Sequence, residues 1–225
     1  MTNTATQHTI PRLSQLLRVL NNSGSALIYS TFLSDQANIA SYAVAVDVSG
    51  NAYVSGPYSQ ANGWTNPFPC TSGAYQCKYA GSNDAFVMKF NPQASKLDYA
   101  TLVGGSASDD ASQILVDSAG EATIGGSTYS TNYPIAPNGL RQTGFVTTLN
   151  SQGTGLVFST VLNHVSQLNF KRDLPGNYYV GGSAGMDLPV SSMPIRAHFR
   201  QLAPTFTLAF LPSSTRPASF PTPPI

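Results

Sequence analysis

The sequence predicts an all-β chain of propeller-type blades, each of four antiparallel strands, arranged as a partial or open ring. Three observations predict it. Short stretches alternate apolar and polar positions, the period-two pattern of half-buried strands. Gly, Pro and Asn turns punctuate these stretches, and one set of landmarks returns three times in fixed order. Composition agrees by exclusion. Charged residues are 9% of the chain, against about 25% in an ordinary soluble domain, and Glu121 is its sole glutamate, so helical bundles and coiled coils lack the residues they need. A net charge of +1 without a basic run excludes nucleic acid as a partner. A hydrophobic content of 41% can bury a core, which excludes disorder.

The elements follow in order. Residues 1–13 form a polar extension, and the apolar stretch 16–20 is too short for a signal-peptide core, so no export signal lies in this chain. No run approaches the roughly 18 to 20 apolar residues of a membrane span. Residues 14–33 read as the outer half of a blade, because 14–20 align with 84–90 at a spacing of 70. A complete blade occupies 34–103, with inner strands at 44–48 and 52–56 and outer strands at 85–90 and 97–103. A second occupies 104–162, and an eroded third occupies 163–212. The tail, 213–225, is mostly Pro, Ser and Thr and reads as disordered.

The landmarks justify these divisions. An apolar run, an Asp-x-x-Gly turn and a second run appear in Val44-Ala45-Val46-Asp47-Val48-Ser49-Gly50, in Ile114-Leu115-Val116-Asp117-Ser118-Ala119-Gly120 and in Phe170-Lys171-Arg172-Asp173-Leu174-Pro175-Gly176. Asp caps such a hairpin through its side chain, and Gly takes the left-handed position that closes it. Phe68-Pro69, Tyr133-Pro134 and Leu188-Pro189 are the second landmark; the strands ending at Asn91, Asn150 and Pro212 are the third. Lys171-Arg172 stands where the other copies have Ala45-Val46 and Leu115-Val116, so this strand is expected to be exposed or shifted. The count comes to about three and a half blades, fewer than the four or more of a closed propeller. An open arc with an exposed end follows, a fragment of a longer protein or a half-ring that pairs with another copy through its open blade edge.

The segments Tyr29-Ser30-Thr31-Phe32-Leu33, Gly104-Gly105-Ser106-Ala107-Ser108-Asp109-Asp110-Ala111, Asp47-Val48-Ser49-Gly50-Asn51-Ala52-Tyr53-Val54 and Asp84-Ala85-Phe86-Val87-Met88-Lys89-Phe90 resemble the bacterial seven-bladed β-propeller repeat family (SBBP repeat). The resemblance covers residues 14–212 and is specific through residue 162. It implies a propeller in a secreted or surface protein and brings no catalytic residues with it.

Candidate sites are sparse. Gly181-Gly182-Ser183-Ala184-Gly185 matches the G-x-S-x-G pattern literally, but that elbow needs a helix after the serine. The previous repeat has Gly125-Gly126-Ser127-Thr128 at the same place, and the only downstream partners are Asp187 and His198. A structural turn is the expectation. His8, His164 and His198 have no metal-ligand spacing, so no metal or cofactor is expected. Asp109-Asp110 could hold Ca²⁺ with nearby carbonyls or cap a loop. Cys70 and Cys77, seven apart in a segment rich in Gly, Pro and Ser, form a loop-closing disulfide or remain free thiols. The one non-repetitive feature is the long segment 57–83, which gathers Tyr58, Trp64, Phe68, Tyr75, Tyr79 and both cysteines. Long loops on rigid scaffolds carry binding, and aromatics stack on sugars or anchor partners. Tyr58, Trp64 and Tyr79 are therefore the ligand-binding candidates, with Phe68 and Tyr75 read as packing.

These readings point to a non-catalytic scaffold or binding module with a protein or glycan partner. Low charge and abundant Ser, Thr, Asn and Tyr are usual in extracellular β proteins, so a secreted or cell-surface parent is expected, its signal lying outside this chain. A carbohydrate-binding propeller using segment 57–83 is the alternative, and a propeller glycosidase or lyase stands third.

Overall fold

A computed structural model describes residues 15–33, 38–60, 68–134, 143–184 and 206–211. Every element among them is a strand, and together they form four antiparallel sheets in chain order. The first pairs β1 (Leu16–Leu20) with β2 (Leu27–Phe32). In the second, β3 (Asn38–Ile39) and β4 (Ala43–Val46) share one flank of β5 (Ala52–Ser59), followed by β6 (Asp84–Phe90) and β7 (Leu97–Val103). The two short strands act as one interrupted strand, so this sheet has four lanes. The third contains β8 (Asp109–Val116), β9 (Ala122–Thr128), β10 (Thr143–Leu149) and β11 (Leu156–Leu162). The fourth contains β12 (Val165–Arg172), β13 (Tyr178–Ala184) and β14 (Phe206–Leu211). The second and third sheets repeat one four-lane plan; no closed ring forms among the described residues.

The Asp-x-x-Gly turns close as their chemistry requires. Asp47 Oδ1 accepts the amides of Ser49 and Asn51, Asp117 Oδ1 those of Ala119 and Glu121, and Asp173 Oδ1 that of Asn177. Gly50, Gly120 and Gly176 sit at φ of 84°, 77° and 98°, where an L side chain is strained. Asn plays the same part in the remaining hairpins, where Asn21, Asn91 and Asn150 each accept amides four or five residues ahead.

A bulge re-aims the first lane of the third and fourth sheets. The register slips between Ala111 and Gln113 in β8 and between Ser166 and Asn169 in β12. Opposite the slip in the third sheet lies Gly126, where a Cβ would stand 1.9 Å from the Asp110 carbonyl oxygen; at Gly56 it would stand 1.8 Å from that of Ala40. The gap between β3 and β4 is the same irregularity in the second sheet.

The core lies between sheets. Leu17, Ile39, Val54, Phe86, Met88 and Leu102 fill the space between the first and second sheets. Tyr53, Val87, Ile114, Ile124, Tyr133 and Phe145 fill the next, and Val146, Val165, Leu168, Phe170, Tyr178 and Val180 the last. Alternate residues of β6 face opposite ways, as Met88 and Val87 show, so this strand is buried on both faces. Few positions are left for charge.

The fourth sheet decides between exposure and a shift at Lys171-Arg172, in favour of exposure at Lys171. The strand carrying Lys171-Arg172 is not shifted: Phe170, Lys171 and Arg172 pair with Val180, Tyr179 and Tyr178, as Ile114, Leu115 and Val116 pair with Ile124, Thr123 and Ala122. Lys171 is exposed. Arg172 is half-buried, with Nη1 2.8 Å from Asp117 Oδ2 and its guanidinium 5.4 Å from the Tyr178 ring centre. Pairing and stacking make the charge tolerable at a position where an isolated one would be costly.

Candidate functional site

Segment 57–83 leaves β5 at the top of the second sheet and returns into β6. Trp64 lies outside the described residues, as do His8, Asp187, His198, the extension and the tail. Tyr58 belongs to β5 itself, is 2% exposed, and meets Phe68 and Tyr79 edge-on at 5.3 and 5.4 Å between ring centres. Tyr79 is half-buried, and its hydroxyl donates to the Ser82 carbonyl. Both rings thus pack against the protein's own aromatics. Phe68 and Tyr133 occupy corresponding places in successive inter-sheet cores, and Tyr75 packs against the second of them.

Cys70 and Cys77 form a disulfide, with Cα atoms 5.6 Å apart. The loop they close lies along the outer edge of β7. Thr71 N–H donates to the Ala100 carbonyl at 3.2 Å, and Ala100 N–H donates to Thr71 Oγ1 at 3.0 Å. Leu102 N–H donates to the Gln76 carbonyl at 2.9 Å, and Gly104 N–H to Gln76 Oε1 at 3.1 Å. Tyr75 N–H reaches the Gly153 carbonyl of the third sheet's outer hairpin at 2.9 Å.

The acids regroup. Asp109 and Asp110 are neighbours in β8 whose side chains part. Asp110 accepts from Asn83 Nδ2 at 3.2 Å and from Ser108 Oγ at 3.3 Å. Asp109 is fully buried and takes three donors, Gly105 N–H at 2.7 Å, Ser130 Oγ at 2.8 Å and the Thr128 hydroxyl. The carboxylate that approaches it belongs instead to Asp84, at the start of β6. A Cβ on Gly104 would lie 2.6 Å from Asp84 Oδ1 and 3.0 Å from Asp109 Oδ2. A side chain at residue 104 would force one of the two acids to move.

Asp84 Oδ2 accepts Gln76 Nε2 at 2.9 Å and Ala80 N–H at 3.0 Å, whereas the buried Oδ1 has no hydrogen-bond partner. Burial, and then the charge of Asp109, pushes the Asp84 carboxyl up to about 6, against the pull of the Ala80 and Gly81 amides and of Gln76. Burial also raises Asp109, and its three donors oppose the rise. This pair joins two sheets and holds the disulfide loop through Gln76. Nothing in the spacing of Asp84 and Asp109, 25 residues apart, announces it, and the two open different lanes of their sheets.

Ser183 lies within β13, paired with Ser166 and Phe206, so the G-x-S-x-G match falls on a strand as far as residue 184. His164 is exposed in the turn between β11 and β12 at φ 61°. Among the described residues, no three of His, Cys, Asp and Glu converge as a metal site would need, and no helix is long and apolar enough to cross a membrane. No family model matches the chain, and no curated protein matches it.

Proposed function

We propose that this chain is a non-catalytic β-propeller scaffold or binding module of a secreted or cell-surface bacterial protein, built on repeats of the SBBP type. The observation that supports it is the uneven end of the stack. Each pair of neighbouring sheets shares a buried core, yet the outer face of the first sheet leaves Leu16, Leu20, Ile28 and Phe32 39–62% exposed. Beside it, Tyr42, Val44 and Val46 are 59–63% exposed on the first lane of the second sheet. Val44 and Val46 stand at the repeat positions of Ile114 and Val116, which the second sheet covers. The occupant that matches this face is a further sheet of the same blade type.

The acids favour a scaffold over an enzyme. Asp47, Asp117 and Asp173 close turns, and Asp109 and Asp110 are committed to the loops around them. The glycan-binding alternative loses support where Tyr58 and Tyr79 pack inward, and it would rest on Trp64. A glycan array with Trp64→Ala as its control separates that alternative from the scaffold.

Light scattering across a concentration series tests the scaffold reading. The exposed face should make the purified chain self-associate, and Ile28→Lys together with Val44→Lys should suppress the association without lowering the melting temperature. A clean monomer at every concentration, stable and cooperative in its melting, would remove the basis for this reading.

A further inference from the structure

The outer edge of a sheet offers unpaired N–H and C=O groups to any strand that comes near, and proteins cover such edges. In the second sheet the cover is specific. The backbone groups of Ala100 and Leu102 in β7, and of Gly104 just beyond it, bond outward to the loop. The loop residues that bond them are Thr71 and Gln76. Both lie inside the ring closed by Cys70 and Cys77. Between them the chain turns at Gly73, φ 78°, with Ala74 N–H returning to the Thr71 carbonyl at 3.2 Å. The ring therefore fixes two bonding residues at the spacing of alternate residues on the strand they cover.

We propose that the Cys70–Cys77 ring is a redox-operated guard of the β7 edge: intact, it holds Thr71 and Gln76 on the strand, and reduction by a small dithiol releases that hold. The rim position makes the bond reachable, since Ser72, Gly73, Cys77 and Lys78 are exposed while Cys70 is half-buried against the core. A thiolate of the reductant attacks the exposed Cys77 sulfur and forms a mixed disulfide, and Cys70 leaves as a thiolate that takes up a proton. The second thiol of the reductant then closes its own disulfide, and Cys77 departs and is protonated. Two electrons and two protons pass from the dithiol to the protein. Once the ring is open, the backbone entropy of a free rim loop works against hydrogen bonds to the β7 edge that water can replace. Tyr75 and Gln76 keep their contacts to Gly153 and Asp84 only while the loop remains ordered.

Amide hydrogen exchange of the full chain, oxidised and after treatment with dithiothreitol, tests this. Exchange at Ala100, Leu102 and Gly104 should accelerate at least about tenfold on reduction, while Val87 and Ile124 in the covered strands keep their rates. The Cys70→Ser/Cys77→Ser variant should show the reduced pattern without reductant, and the wild-type comparison decides alone if that variant does not fold. Equal protection of the three edge amides in both redox states would overturn the proposal. So would a loss of protection spread over Val87 and Ile124, because the disulfide would then support the whole fold rather than guard one edge.

Discussion

Ala94 holds a φ of 48° at the turn position that Gly24 and Gly153 occupy in the other outer hairpins. An L residue there carries a strain of about 1–2 kcal/mol, partly offset because glycine is freer in the unfolded chain and lacks the methyl that Ala94 rests on the core. Ala94→Gly should therefore raise stability by about 0.5 kcal/mol in urea denaturation; a loss would mean that the methyl contact outweighs the strain. Asp84 sets a second prediction. Its carboxyl is raised to about 6 in the fold against an ordinary 3.8, so the unfolded chain gives up this proton first. Stability from this group is then highest below pH 4, falls as pH rises through the window from about 4 to 6, and stays low above it. Asp47 and Asp173 act oppositely: hydrogen bonds, from Asn51, Tyr53 and Ser49 against a burial penalty at Asp47 and led by Asn177 at Asp173, lower them, so their share is lost as pH falls. Asp84→Asn should raise the melting temperature at pH 7, by the equivalent of at most about 3 kcal/mol, and flatten the slope between pH 4 and 6. An unchanged slope would assign the pH dependence elsewhere. The turn aspartates are legible in sequence because their partners are two to four residues away. Asp84 reads there only as the start of a strand, since its meaning comes from a carboxylate on the next sheet and a glycine that leaves room for both.

Strands and their turns are readable because each element carries its own period and its own stop. The bulge is not, because a bulge is a relation between two strands. Gly56 and Gly126 look like two more turn-formers, yet both sit mid-strand, facing a carbonyl oxygen that the slipped register pushes forward. Gly126→Ala should cost about 2–4 kcal/mol, since backbone must move to admit the methyl. Gly24→Ala, with nothing within 4 Å of the added carbon but a φ of 68°, should cost about 1 kcal/mol. Urea denaturation of the two variants distinguishes them, and equal costs would mean that the bulge relaxes freely. Segment 57–83 shows the same limit. It has no internal copy, so sequence marks it as an insertion rich in aromatics and suggests a ligand loop. Its hydrogen-bonding partners, Ala100, Leu102 and Gly153, lie in strands and turns that follow it, and only the folded chain shows that it serves as an edge cover.

The molecule as a whole is a row of sheets in which each core belongs to two neighbours. Such a row gains stability sheet by sheet, from the faces it fills, and its ends open before its middle. The repeat makes the row legible from sequence, because apolar residues on both sides of a strand leave no face for solvent. What covers the first sheet is not legible, since a lone face carries the same residues whether or not it is filled. The row makes a prediction that separates it from a single cooperative body. Ile124 is fully buried between the second and third sheets, where Ile124→Ala should cost about 3–4 kcal/mol and speed exchange throughout the second and third sheets. Leu17, at 9% exposure, packs the two-stranded first sheet on the second. Leu17→Ala should speed exchange in β1 and β2 and leave the amides of Ile124 and Val146 at their original rates, because the first sheet can detach without unfilling the central core. Native-state hydrogen exchange reads both variants residue by residue. Uniform acceleration by Leu17→Ala would show that the first sheet and the centre open together, and the stack would then have to be treated as one cooperative unit.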